Sequence, residues 1–169
     1  MTFAELTNVL TAHFGADAGL EANTQNPQPY LIVPAKRITD ICRFLRNDER
    51  LFFDFLACMT GIDNGPQAGT MEVVYHLTSI PYEHDLTLKV IIPRTPADES
   101  THEGLPVVPS VTAVWRTADW HEREIYDLVG IYFEGHHDLR RILLPTDWVG
   151  HPLRKDYKDL DTYHGIKVN

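Results

Sequence analysis

The chain has 169 residues, 43% of them hydrophobic, and a formal net charge of −9. That length suits one domain with a tail and that composition supports a real core, which excludes a disordered chain. The acidic balance excludes a general nucleic-acid binder, which needs net positive charge or a long basic face.

Residues 2–14 carry Phe3, Leu6, Val9, Leu10 and Phe14 at helical spacing, with Thr2 and Glu5 as a capping box and Gly15 as a stop. Residues 16–29 are small, polar and proline-bearing and read as a loop. Tyr30-Leu31-Ile32-Val33 reads as a short strand closed by Pro34. Ile38, Ile41, Cys42 and Leu45 line one face of a second helix over about 35–47. The apolar run 51–62 reads as a buried strand, its Leu, Phe and Ala leaving a helical start open. Residues 71–79 and 85–92 alternate in period two and are joined by a short proline-bearing link, which predicts an antiparallel hairpin. Residues 93–109, rich in proline and acids, read as a surface loop, and 110–116 as a short helix. A better helix begins at Asp119, capped through Glu122, striped by Ile125, Leu128 and Val129, and stopped by Gly130. Residues 131–133 add a short strand. From Pro145 onward the chain lacks periodicity and reads as an extended arm.

The order predicts an α+β fold: a mostly antiparallel sheet with helices packed on one face, plus an extended C-terminal arm. Residues 1–133 are expected to form the α+β domain. Residues 134–169 are expected to form an extended segment and arm that docks on partner subunits. No apolar run approaches the ~20 residues that span a bilayer, and the N-terminus lacks the basic and apolar regions of a secretory signal. The chain is therefore expected to be soluble and to reach a membrane only through a partner.

Two cysteines, Cys42 and Cys58, sit apart among apolar residues and read as buried free thiols in a reducing compartment, not as a disulfide or cluster ligands. Glu122, Arg123, Glu124 and Asp127 crowd one helix together with His121. Arg123 and Asp127, four apart, are expected to pair, and the charges read as a solvated or interfacial helix face before a general acid/base pair. No nucleophile elbow, phosphate loop or dinucleotide fingerprint accompanies them. His136, His137, His151 and His164 have poor metal-ligand spacing and suit hydrogen-bonded turns better.

A rough echo is visible further on. Gly135-His136-His137-Asp138-Leu139-Arg140-Arg141 is followed by Gly150-His151-Pro152-Leu153-Arg154-Lys155-Asp156. Each copy reads Gly-His, a turn-forming residue, then Leu and two basic residues. Arginine pairs beside large apolar groups suit a permanent protein interface. Competing readings are a hydrolase using His and carboxylate residues of 121–151, which needs a concave pocket with a perturbed acid/base pair, and an RNA binder, which needs exposed aromatics on a strand with basic neighbours.

The run from Glu122 to Tyr157, EREIYDLVGIYFEGHHDLRRILLPTDWVGHPLRKDY, resembles the signature of the thirty-kilodalton subunit (the C subunit in bacteria) of respiratory complex I, the proton-pumping NADH:quinone oxidoreductase. Most of the chain is covered, more loosely upstream. Two departures stand out: His137 where the family commonly has proline, and Lys158 where proline often follows Asp-Tyr. The resemblance implies a cofactor-free subunit of the peripheral arm with no catalytic residues of its own. It implies binding to the forty-nine-kilodalton quinone-site subunit, near the subunit carrying the terminal iron–sulfur cluster. FMN, the iron–sulfur clusters and the quinone site would belong to other chains, and the location would be the cytoplasmic face of a bacterial inner membrane. The interface candidates are then Glu122, Arg123, Glu124, Asp127, His136, Arg140, Arg141, Trp148, His151, Arg154, Lys155, Asp156 and Tyr157.

Overall fold

A computed structural model describes residues 1–96 and 102–167. Helix α1 (Phe3–Phe14) starts at the expected capping box: the Thr2 amide donates to Glu5 Oε2 at 2.7 Å and the Glu5 amide to Thr2 Oγ1 at 3.3 Å. Each bond satisfies a donor that helix geometry leaves orphaned. Leu6 and Leu10 are its buried stripe. Strands β1 (Glu21–Asn23) and β2 (Tyr30–Ile32) follow, then helix α2 (Ile38–Asn47), which buries Ile38, Ile41, Cys42 and Leu45. Strands β3 (Phe55–Asp63), β4 (Thr70–Ser79) and β5 (His84–Pro93) complete one five-stranded sheet in the order β1-β2-β5-β4-β3.

Within this sheet the β2–β5 pair is parallel and the other three pairs are antiparallel. In the β4–β5 hairpin Val73 faces Val90, Tyr75 faces Leu88 and Leu77 faces Leu86. These side chains all point to one side, as period-two alternation requires, and meet Leu6, Leu10, Ile41 and Leu45 in a single core. The α+β class with a mostly antiparallel sheet and helices on one face is what the patterning led us to expect.

Beyond the sheet come β6 (Val107–Pro109), helix α3 (Ala118–Val129) and β7 (Tyr132–Glu134), with β6 and β7 paired in parallel. Helix α3 packs on β3 from the core side. Gly61 makes the approach possible: a Cβ there would lie 2.5 Å from Ile125 Cγ2 and 3.3 Å from Val129 Cγ2.

Several local expectations are corrected. The loop expected over 16–29 contains β1, a short exposed edge strand held only by its ladder to β2. The surface loop expected over 93–109 ends in β6; residues 97–101 of it lie outside the described residues. The short helix expected over 110–116 is a set of turns, with the Val114 and Trp115 amides both donating to Val111 O. Helix α3 has no side-chain cap at its start. Glu122, expected to serve there, is turned into the core, where two buried donors hold it. Residues 135–161 hold no helix or strand, and strands β8 (Thr162–Tyr163) and β9 (Ile166–Lys167) close a small hairpin at the end. Its two-residue turn places His164 and Gly165 at φ 48° and 78°, the left-handed values a tight hairpin demands.

Replacing Gly61 by Val should destabilise the chain by roughly 1–3 kcal/mol, the usual cost of overpacking, because the new methyls collide with Ile125 and Val129. Chemical denaturation of wild type and variant measures the difference. Equal midpoints would show that α3 does not rest on this strand.

Candidate functional site

The segment 135–157 folds back along α3, and one carboxylate organises the turn. Asp127 projects from α3 and is fully buried. Its Oδ2 accepts the amides of Ile142, Leu143 and Leu144 at 3.0, 2.8 and 2.9 Å, and its Oδ1 accepts Arg141 Nη1 at 2.7 Å. Burial alone pushes this carboxyl up; the Leu144 and Leu143 amides, the Arg141 guanidinium and the Ile142 amide outweigh it and hold the pKa below its ordinary value. Arg141 continues outward, donating through Nη2 to Gly150 O at 3.0 Å.

The C-terminal end of α3 is the second contact zone. A helix end leaves its last carbonyls without partners and carries partial negative charge. Here they are met one by one. His151 Nδ1 lies 3.0 Å from Asp127 O, so that nitrogen carries the proton and donates. The Leu153 amide donates to Leu128 O at 2.9 Å. Arg154 donates through Nε to Val129 O at 2.8 Å and through Nη2 to Gly130 O at 2.9 Å. Gly130 itself, at φ 76°, ends the helix in the left-handed conformation, and a Cβ on it would strike the His151 ring at 2.5 Å. Burial lowers the His151 pKa, with the Asp127 carbonyl pulling the other way.

A second buried carboxylate receives the end of the segment. Asp63, at the close of β3, accepts Arg94 Nε at 2.9 Å, the Lys155 amide at 2.9 Å and the Gly65 amide at 3.0 Å. Burial raises its pKa; the Arg94 side chain and the Lys155 and Gly65 amides overcome that and leave it lowered. Arg94 bridges onward to Asp156. At the other end of α3, His136 Nδ1 accepts the Asp138 amide at 3.0 Å, which leaves Nε2 to donate to Asp119 O at 3.2 Å.

The first echo copy therefore spans α3, from His136 at Asp119 to Arg141 at Asp127, and the second meets its C-terminal end at 127–130. The expected Arg123–Asp127 pair is corrected: Arg123 donates to the carbonyls of Arg140 and Arg141 instead, at 3.3 and 3.5 Å. Arg140 and Arg141 do not act as one exposed pair either. Arg141 is held by Asp127, while the Arg140 side chain is largely exposed and bonds only Asp138 among the described residues. Trp148 Nε1 donates to Tyr157 Oη at 3.1 Å, and Tyr163 packs on Trp148 with ring centroids 5.2 Å apart. Glu124 is exposed.

Like Asp127, Glu122 does not stand on the solvated face that the spacing suggested. It is fully buried rather than solvated, accepting the Ser110 hydroxyl at 2.7 Å and the Val111 amide at 2.7 Å. Burial pushes its pKa up to about 7, with those two donors opposing. It sits in the core, where no substrate reaches, so its perturbed carboxyl does not make an acid/base pair in a cleft. Among the described residues no three His, Cys, Asp or Glu side chains gather in metal-binding geometry, and no helix is long and apolar enough to cross a membrane.

Several large apolar groups are left outward. Trp120, Leu143, Val149 and Leu153 are each at least 60% exposed, all on α3 or the segment that folds along it. Large apolar groups left this exposed are suited to protein contact.

Residues 31–163 match the family model described as "Respiratory-chain NADH dehydrogenase, 30 Kd subunit". The chain is 51% identical over 129 residues to the C subunit of the NADH-quinone oxidoreductase of Chloroherpeton thalassium, covering 76% of this chain and 49% of that one, so it spans about half the length of that relative. It is 42% identical over 163 residues to the corresponding C subunit of Chlorobium phaeobacteroides, covering 95% and 92%. Among solved structures it is similar to a chain of the membrane-bound sulfane sulfur reductase, an archaeal respiratory membrane complex, with a TM-score of 0.72 and 26% identity, covering 93% of this chain and 86% of that chain.

Two measurements test the site. Asp127→Asn removes the charge facing Arg141 and should cost about 3–5 kcal/mol, the usual loss when a buried pair is broken. The amides of residues 142–144 should lose hydrogen-exchange protection first. Retained protection and an unchanged melting temperature would show that the carboxylate does not organise the turn. Glu122 gives a pH signature of opposite sign to the aspartates. Its folded pKa lies above its ordinary 4.5, so the unfolded chain binds fewer protons, and stability should fall by roughly 3 kcal/mol as pH rises from about 4.5 to about 7. The depressed pKa values of Asp63 and Asp127 make their contribution present above about pH 4 and lost as pH falls through their folded values. Denaturation of Glu122→Gln between pH 4.5 and 7 should lack the wild-type decline; an identical slope would place the titration elsewhere.

Proposed function

Since the chain belongs to the family of the respiratory-chain NADH dehydrogenase 30 Kd subunit, we propose that it acts as a cofactor-free structural and assembly subunit in the peripheral arm of a proton-pumping NADH:quinone oxidoreductase. It braces the forty-nine-kilodalton quinone-site subunit and the subunit holding the terminal iron–sulfur cluster. FMN, clusters and quinone are bound by those other subunits. The chain meets the membrane only through the complex, on its cytoplasmic face, and binds no nucleic acid.

The observation that carries this reading is the division of labour in residues 135–157. Arg141 and Arg154 are bound inside the chain by Asp127 and the end of α3, and the Lys155 amide by Asp63, while Leu143, Val149 and Leu153, like Trp120 on α3, are left exposed. A loop fastened at several points to its own domain presents those apolar groups at little ordering cost, which is what tight docking needs. Of the interface candidates, Arg123, Glu124, Arg140, Trp148, Lys155, Asp156 and Tyr157 supply the polar rim. Glu122, Asp127, His136, Arg141, His151 and Arg154 act behind it, holding the surface in shape. The archaeal relative supports the same division from another direction: it reduces sulfane sulfur, so a shared fold across complexes with different acceptors fits a brace better than a participant in the chemistry. Electron transfer and quinone binding depend on placement, so a missing brace can abolish turnover without touching the reacting groups.

Leu143→Glu combined with Val149→Glu tests the proposal. Both sites are exposed, so the purified chain should keep its stability to within about 0.5 kcal/mol. In cells the variant should recover little assembled complex and little membrane quinone-reductase activity. Wild-type assembly and turnover with both charges in place would overturn the docking surface.

A further inference from the structure

The two edges of the main sheet are managed differently. The β1 edge is three residues long and carries Glu21. The β3 edge is nine residues long, and residues 55–62 contain no charge and no proline. Its residues 57, 58 and 60 are exposed, and a bulge interrupts the β4 register between Leu56 and Cys58. Among the described residues, no backbone group of 57–62 bonds to backbone outside the β3–β4 ladder. Proteins blunt long free edges with lysine, proline or short strands, because an uncovered row of N–H and C=O groups recruits another strand. The β1 edge is short and charged; the β3 edge has neither feature, and its bulge at residue 57 leaves 58–63 in regular register with β4.

A groove runs beside this edge. It holds about 260 Å³ and lies between residues 58–61 and the outer side of α3, where His121, Glu124 and Leu128 form a stripe at helical spacing. Leu153, 60% exposed, closes one end. Glu124 makes no ion pair among the described residues.

We infer that the β3 edge receives an extended segment of a neighbouring subunit, which adds as a sixth strand over residues 57–61. The inference rests on the proposed place of the chain in a multisubunit complex and names a second contact of that chain. Side chains alternate across a strand, so every other residue of the incoming segment enters the groove. There it meets Leu128 and Leu153, which call for apolar groups, and Glu124, which calls for a Lys or Arg. Main-chain bonds supply affinity and the alternate side chains supply selectivity, as in other strand-addition complexes. A second copy of this chain is the wrong occupant, because a symmetric edge-to-edge pairing would bring the two Glu124 carboxylates towards one groove and add to the repulsion between two acidic chains.

The test compares the isolated full-length chain with the same chain in the detergent-solubilised complex. Amide exchange at residues 57–61 should slow at least about ten-fold on assembly, the mark of newly made main-chain bonds. Alkylation of Cys58, the exposed one of the two thiols, should slow alongside it. Glu124→Lys should lower the share of chain recovered in the complex several-fold, and Glu124→Gln less, with the melting temperature of the isolated chain unchanged in both. Equal exchange and equal alkylation in a complex that does contain the chain would overturn the strand addition and leave the docking role intact. Absence of the chain from the complex would overturn both. Slowed exchange in the isolated chain that grows with its own concentration would assign the edge to a second copy and overturn the occupant named here.

Discussion

The signature segment depends on a single buried carboxylate. Asp127 sits on α3 with no exposure and collects three consecutive amides and one guanidinium. Three successive N–H groups pointing at one oxygen fix the path of residues 142–144 as firmly as a turn of helix would. The desolvation cost of such an anion is large. It is offset only because every donor is charge-assisted and already in place. From that point outward the chain has little freedom. Arg141 is held from both sides, Gly150 is tied to Arg141, and His151 and Arg154 arrive at the end of α3, where unpaired carbonyls await them.

The helix gains as much as the segment. Helix α3 has no side-chain cap at its start and no basic residue in its last turn. Its own sequence leaves its C-terminal carbonyls without local partners beyond the Gly130 amide. Residues more than twenty positions downstream supply them. The segment is therefore part of the helix in energetic terms: removing it would expose four carbonyls at once and leave Asp127 as an uncompensated buried charge. The same logic holds at Asp63, where a carboxylate at the end of β3 fixes the Lys155 amide. Helix, sheet end and segment are thereby tied together by Asp127, Asp63 and the carbonyls at the end of α3.

Much of this fold was legible in the sequence because local patterns and tertiary packing agreed. The Thr2–Glu5 capping box, the α2 stripe, the β4–β5 alternation and the Gly130 stop all stand where local chemistry places them. Strands β1 and β6 were not legible. Each is three residues long and held only by its ladder, β1 to the nearby β2 and β6 to the distant β7, and Glu21-Ala22-Asn23 has no strand preference of its own. The hairpin at 162–167 rests on a left-handed turn that His164 adopts beside Gly165, which periodicity does not register. The carboxylates of α3 were legible as important but not as to role. Spacing on a helix tells which charges are neighbours on its surface. It cannot tell that a loop 15 residues further on will offer Asp127 better donors than Arg123 does, or that the neighbouring turn will bury Glu122.

Glu122 and Asp127 lie five positions apart on one helix and are both fully buried, yet their proton affinities are shifted in opposite directions. The difference lies in the donors. Asp127 has four, one of them a full positive charge, and its anion is the stable form. Glu122 has two neutral donors from Ser110 and Val111, too few to outweigh desolvation. Replacing a buried polar group by a well-packed apolar one is often neutral or better for stability, so stability alone does not explain a glutamate at this site. Its geometry points to register. A Glu122 oxygen fixes the chain at 110–111, just after β6, against α3, as Asp127 fixes the chain at 142–144. An apolar side chain could fill the same volume but could not choose which amide it meets. The outward groups of α3 and the segment are useful only if they stand at fixed positions relative to one another. Two carboxylates that accept from defined amides of 111 and 142–144 supply that fixed geometry from one helix, which added apolar packing would not.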